Sequence, residues 1–102
     1  MTPDTQDLLL TLIAPPALRY ELVDWLLENT EGGFSRHQGL GHGGPSHALS
    51  AVEQVAGGQT NDVYQLHGPE GRIRPVVLAL ADAFSGAGLH YWLTPVVDSG
   101  HI

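Results

Sequence analysis

The chain has 102 residues, a length that predicts a single domain spanning residues 1–102. Its net charge is −7, and it contains four arginines and no lysine. Proteins that bind nucleic acid neutralise phosphates with clustered basic side chains, so this composition argues against a nucleic-acid partner. The chain has no cysteine, which excludes disulfides and thiolate metal sites.

Targeting and membrane segments are not apparent in the sequence. The N-terminal residues MTPDTQD contain no basic residue, and no apolar run approaches the ~20 residues of a membrane span. We therefore expect a cytoplasmic protein without direct membrane insertion.

The first predicted element is the apolar run Asp7–Ala14, which is typical of a central strand buried on both faces. Two prolines end it, and residues Ala17–Asn29 then show the helical spacing of an amphipathic helix. Gly32 and Gly33 end that helix. Two weaker strand patterns follow at Gly33–Gly41 and Asn61–Gly68.

A second helix is predicted from about Gly71 to Phe84, with Pro75 tolerated because it would fall in the first turn. Its expected buried stripe consists of Ile73, Val77, Leu80, Ala81 and Phe84. The β-rich segment Leu89–Val97 predicts a last strand, and Pro95 places the end of that strand at a sheet edge or a bulge.

This order, βαββαβ, predicts an α+β fold of the ferredoxin-like type. A four-stranded antiparallel sheet would have two helices on one face and a long loop between strands 2 and 3. The other face would stay open and carry Trp92, Tyr64 or both. Another subunit usually covers such a face in so small a domain.

The segment Gly39–Gly57 is rich in glycine and histidine and contributes little to a core. Long irregular connections in compact domains are generally functional or disordered. His42 and His47 flank a GGPS turn, and with Glu53 they could bind a copper, zinc or nickel ion. The alternative is that these are ordinary surface residues, since the paired spacing of structural zinc sites is absent. His67 and His90 are expected to be packed or hydrogen-bonded within strands.

No catalytic constellation stands out, and we predict that the protein is not an enzyme. The loop after the first strand reads APPA, and its two prolines lack the N–H groups that would cradle a phosphate.

Three stretches carry a resemblance to a known family: LLLTLIAPPALRYELVDWLLE, GHGGPSHALSAVEQVAG and FSGAGLHYWLTPVVDSGHI. They resemble a family of short proteobacterial proteins of unknown function that is similar to the PII signalling proteins and occurs near heavy-metal efflux genes. The resemblance covers almost the whole chain.

The resemblance implies a homotrimer in which residues 39–60 form the T-loop that reaches a partner, and it points to a membrane transporter or efflux protein as that partner. Ligands of such trimers lie in clefts between subunits, and the tail Asp98–Ile102 would lie near the same cleft. By position, the implied ligand-binding residues are Arg36, Gly41, Gly43, Gly57, Gly58, Gln59, Gly86 and Gly88.

This chain departs from nucleotide-binding PII proteins at the phosphate contacts. The turn Ser85–Gly88 and the segment Ala56–Asp62 contain no basic residue, which disfavours a triphosphate. ADP or AMP, a small anion such as bicarbonate, or a metal ion remain as alternatives.

The main hypothesis is therefore a non-enzymatic regulatory trimer that senses a small ligand and acts through its loop. The alternative is a divalent-metal tolerance protein that binds copper, zinc or nickel through His42, His47 and Glu53. A hydrolase acting in an intersubunit cleft is a third possibility.

Overall fold

The computed structural model describes residues 6–42 and 59–102. The strands are β1 (Asp7–Ala14), β2 (Ser35–Gly41), β3 (Gln59–Pro69) and β4 (His90–Pro95). The α-helices are α1 (Arg19–Asn29), which follows a 3-10 turn at Pro16–Leu18, and α2 (Glu70–Ala83). Because β2 runs to Gly41 and β3 begins at Gln59, the connection between them spans residues 42–58.

The four strands form one sheet in the order β2-β3-β1-β4, and every neighbouring pair is antiparallel. This confirms the predicted ferredoxin-like α+β fold. The apolar run of β1 lies in the interior of the sheet, as predicted. β4 is an edge strand and ends at Pro95, whose missing N–H costs no ladder hydrogen bond there.

The core lies between the helices and one face of the sheet. Alternate residues of β1 and β3 point to this side, where Leu10 and Tyr64 are fully buried together with Leu22 and Leu26 of α1. Trp25 of α1 meets Phe84, just after α2, in an edge-to-face contact with ring centroids 6.2 Å apart. This aromatic pair joins the two helices over the sheet.

The other face of the sheet has no helix over it. Leu9, Thr11 and Ile13 of β1 alternate onto this face, as does Trp92, which pairs with Thr11 and is 50% exposed. The prediction that placed Tyr64 on this face as an alternative or addition to Trp92 was wrong. Tyr64 pairs with Leu12 and alternates with Val63, so it faces the helices.

Three further expectations are corrected. Pro75 lies in the second turn of α2 because the helix begins at Glu70. Val76 takes the buried position in α2, while Ala81 is exposed. His67 and His90 are exposed strand residues rather than packed ones, because both point to the uncovered face.

The C-terminal tail begins at the end of the sheet where β1 starts. The Ser99 hydroxyl is 3.3 Å from a carboxylate oxygen of Asp7, at the start of β1. Gly41 and Gln59, where β2 ends and β3 begins, lie at the other end of the sheet, where β1 finishes. The expected place of the tail near a cleft between subunits stays a prediction.

Candidate functional site

Most of the described site residues lie towards one end of the sheet, which we call the loop end, and Arg36 lies further back on β2, opposite Tyr64. At the loop end, Gly41 pairs with Gln59, Ala14 with Asp62 and Ile13 with His90. The antiparallel order brings the end of β1 and β2 and the start of β3 and β4 to this same end. Gly43, Gly57, Gly58, His47 and Glu53, which the sequence also predicts as site residues, lie outside the described residues.

The base of the loop is formed by Gly41, His42 and Gln59. A Cβ atom on Gly41 would lie 2.7 Å from the side-chain nitrogen of Asn61, which itself donates to the Gln59 carbonyl at 3.4 Å. Glycine at this position leaves room for the Asn61 amide. His42 follows β2 directly and is exposed.

A buried carboxylate lies just behind the loop base. Asp62 is fully buried. Arg19 of α1 donates two hydrogen bonds to its carboxylate, from Nε to Oδ2 at 2.9 Å and from Nη2 to Oδ1 at 3.0 Å. Arg36 of β2 approaches the same Oδ1 through Nη1 at a longer 3.5 Å. We call these three side chains the Arg–Asp cluster.

The Arg–Asp cluster keeps Asp62 ionised at neutral pH. The two hydrogen bonds from Arg19 are the main cause that lowers the pKa of Asp62, and they outweigh burial, which alone would raise it. The charge of Arg36 lowers this pKa further. The cluster therefore carries one negative and two positive charges.

Tyr64 adds a neutral polar group beside the cluster. Its hydroxyl is buried and has no hydrogen-bond partner among residues 6–42 and 59–102. Burial, followed by the neighbouring charge of Asp62, raises the pKa of Tyr64, so the phenol stays protonated.

The second part of the candidate site is the turn Ser85–Gly88 after α2. Gly86 and Gly88 adopt positive φ angles of 73° and 88°, which favour glycine. The turn borders a cleft of about 330 Å³ whose other walls include Leu12, Phe84 and Tyr91. None of the described residues that line this cleft is charged, so it suits an apolar or aromatic ring better than a phosphate chain.

One chain does not bring the two parts together. Arg36, Gly41 and Gln59 belong to the β2 side of the sheet, whereas Gly86 and Gly88 precede β4 at the other edge. Three strand spacings separate these edges, which amounts to about 14 Å. The resemblance assigned these residues to one site, and strand order is what shows this separation.

Reasoning from sequence missed Arg19 and Asp62. A signal was present, since Asp62 stands in alternation with Tyr64 and Leu66 on one face of β3. A carboxylate in phase with buried side chains needs a cationic partner, and the chain has few cations to offer.

Two of the three predicted metal ligands, His47 and Glu53, lie outside the described residues. His42 is the one predicted metal ligand within them, and the described residues contain no group of three or more histidine, aspartate or glutamate side chains that could hold a metal ion. Among the described residues, no helix is long and apolar enough to cross a membrane.

The fold and the loop base define a ferredoxin-like α+β domain with a buried Arg–Asp cluster behind a long connection. The chain belongs to the DUF3240 family, described as a protein of unknown function, whose model matches residues 4–102. The crystal structure of a DUF3240 family protein from Shewanella baltica OS155 is similar over 100% of this chain and 99% of that chain, with a TM-score of 0.75 and 22% sequence identity. At that identity the likeness shows the fold. Comparison with curated proteins gives no match.

Proposed function

We propose that this protein is a non-enzymatic, PII-like regulatory homotrimer. It binds a small ligand in clefts between subunits and acts on a partner through the connection of residues 42–58, the central part of the predicted loop 39–60. The ligand is an adenine nucleotide such as ADP or AMP, or a small anion such as bicarbonate. A heavy-metal transporter or efflux protein is the partner class that the family resemblance suggests.

One observation carries this proposal: the two parts of the candidate site lie at the same end of the sheet but on opposite edges. A ligand that contacts both Arg36 and the Ser85–Gly88 turn within one chain would have to bridge about 14 Å over two intervening strands. Two adjacent copies can instead place the β2 side of one against the β4 side of the other. The site then becomes complete only on assembly.

The uncovered face of the sheet supports self-association. Leu9, Ile13 and Trp92 contribute apolar surface there, and Asp7 is the one acidic residue of the described strands that alternates onto it. Chains with a net charge of −7 repel one another, so a face with a single acidic residue is where copies can meet.

The chemistry of the two parts suits a ligand with one ring and few negative charges. The uncharged cleft beside Phe84 and Tyr91 fits a nucleobase, and Arg36 can bind one acidic group. Three phosphates would need more cations than the described residues offer at this end.

Isothermal titration calorimetry with AMP, ADP, bicarbonate, and copper, zinc or nickel ions tests the proposal. We expect saturable binding of a nucleotide or bicarbonate that is unchanged in the double variant His42→Ala/His47→Ala. Binding of metal alone that disappears in this variant would replace the proposal with the metal-tolerance function. Turnover of ATP or an acyl phosphate would contradict a non-enzymatic role.

A further inference from the structure

The four arginines of the chain differ in how they are paired. Arg74 forms an ion pair with Glu70 within α2, and Arg72 lies 3.7 Å from Glu31. Arg19 takes both oxygens of Asp62. Arg36 is the one arginine that has no carboxylate of its own among residues 6–42 and 59–102.

The geometry shows how Asp62 is shared between its two cations. Arg19 holds Asp62 in a bidentate arrangement at 2.9 and 3.0 Å, which is the strong form of an arginine–carboxylate contact. Arg36 reaches one already occupied oxygen at 3.5 Å, at the limit of a hydrogen bond. The charge of Asp62 is therefore largely neutralised by Arg19.

We propose that the Arg19–Asp62 pair is a positioning device that keeps the Arg36 guanidinium available for one oxyanion group of a ligand, a carboxylate, bicarbonate or phosphate. Asp62 orients Arg36 from behind without neutralising it. The inference rests on the proposed function, because it concerns the ligand of that same site.

Exposure and location fit this role for Arg36. Its side chain is 34% exposed, so its remaining N–H donors can reach a ligand. The side chain of Asp62, in contrast, is fully buried. Arg36 lies on β2, the strand that leads into the loop, and the neutral Tyr64 is its partner across the β2–β3 ladder.

Four variants test the inference by calorimetry with AMP, inorganic phosphate and bicarbonate as separate probes. We expect Arg36→Gln to weaken binding by about ten- to a hundredfold, which is the worth of a charged hydrogen bond. Arg19→Gln should weaken it by about tenfold, because Asp62 then captures Arg36. The double variant Arg19→Gln/Asp62→Asn should restore affinity to within about threefold of the original, since Arg36 is released again.

Arg72→Gln is the matched control. This substitution removes one positive charge at the far end of the sheet. We expect the affinity for each probe to change by no more than about twofold because exposed distant charges are screened. If Arg19 had a purely structural role, removing Asp62 as well would not restore the binding affinity.

The outcomes separate this inference from the proposed function. Ligand binding that is unaffected by Arg36→Gln, or not restored in the double variant, would overturn the inference and leave the regulatory trimer standing. If the variants show the predicted affinities but native mass spectrometry shows a monomer, the inference is supported and the trimer is overturned. Failure of all three probes to bind would overturn the oxyanion role. The probe that binds most tightly identifies the source of the oxyanion.

Discussion

Asp62 places a carboxylate in a layer otherwise made of apolar side chains. Removing such a group from water is unfavourable, and the two hydrogen bonds from Arg19 offset that cost. Arg19 begins α1 and Asp62 lies near the start of β3, so their contact links elements 43 residues apart in the chain. The same contact fixes the loop end of the sheet.

The lowered pKa of Asp62 predicts a specific dependence of stability on pH. Its ionised form stabilises the fold above its ordinary pKa of about 3.9, and this contribution is lost as the pH falls from there towards the lower pKa in the folded state. We expect Asp62→Asn to lower the free energy of unfolding at neutral pH, with the gap to the unsubstituted protein closing in acid. Urea denaturation from about pH 7 to about pH 2 measures this gap.

Asp82→Asn is the matched control, because Asp82 is exposed on α2. It should change the free energy of unfolding little at any pH. A gap for Asp62→Asn that stayed constant into acid would show that its charge does not stabilise the fold.

Gly88 has a conformational role that is separate from ligand binding. Its φ of +88° lies in the left-handed region, so we expect Gly88→Ala to cost about 1–2 kcal/mol of stability. Gly100→Ala, where nothing lies within 4 Å of the added Cβ and φ is not positive, should be neutral. Thermal unfolding of the two variants compares them, and equal melting temperatures would contradict the role.

Hydrophobic patterning was sufficient to predict the elements. The bounds Asp7–Ala14 for β1 were predicted correctly because an unbroken apolar run between a polar start and two prolines leaves few alternatives. β3 is longer than predicted, since Gln59 and Thr60 pair with β2 although they are not apolar. Backbone pairing with a neighbouring strand does not require apolar side chains, so the hydrophobic pattern could not show that β3 begins at Gln59.

The second helix contains a proline, Pro75, past its first turn. Pro75 lies six residues into α2, where it cannot donate a hydrogen bond to the Gly71 carbonyl one turn earlier. We expect Pro75→Ala to stabilise the protein by about 1–2 kcal/mol, because the recovered hydrogen bond and lost clash exceed the added entropy of the unfolded chain.

Chemical denaturation measures this gain, and Leu78→Ala, at an exposed position of the same helix, is its control with an expected change near zero. Unchanged or lower stability of Pro75→Ala would show that α2 accommodates the proline without losing a hydrogen bond.

At the scale of the whole molecule, the proposed function requires a second copy of the chain to bring the two parts of the candidate site together. The resemblance named Arg36, Gly41 and Gln59 for one part and Gly86 and Gly88 for the other, but strand order was needed to show that they lie on opposite sides of the sheet. Strand order depends on contacts between distant segments, and local patterns do not encode it. The alternation of Asp62 with buried residues was visible in the sequence, but its partner Arg19 was not, because that contact joins distant segments.

The uncovered face predicts how assembly can be broken. Trp92→Glu places a charge on this face, and we expect it to yield monomers because burying an unpaired carboxylate between subunits is unfavourable. Tyr20→Glu, on an exposed position of α1, should leave the assembly intact. Size-exclusion chromatography with light scattering distinguishes them, and equal masses for the two variants would place the interface elsewhere.

Native mass spectrometry of the protein, alone and with AMP or bicarbonate, tests the central claim most directly. We expect an assembly of three chains of 10.9 kDa each that gains up to three ligands, one for each cleft between subunits. A monomer under all conditions, or a trimer that binds neither AMP nor bicarbonate, would contradict it.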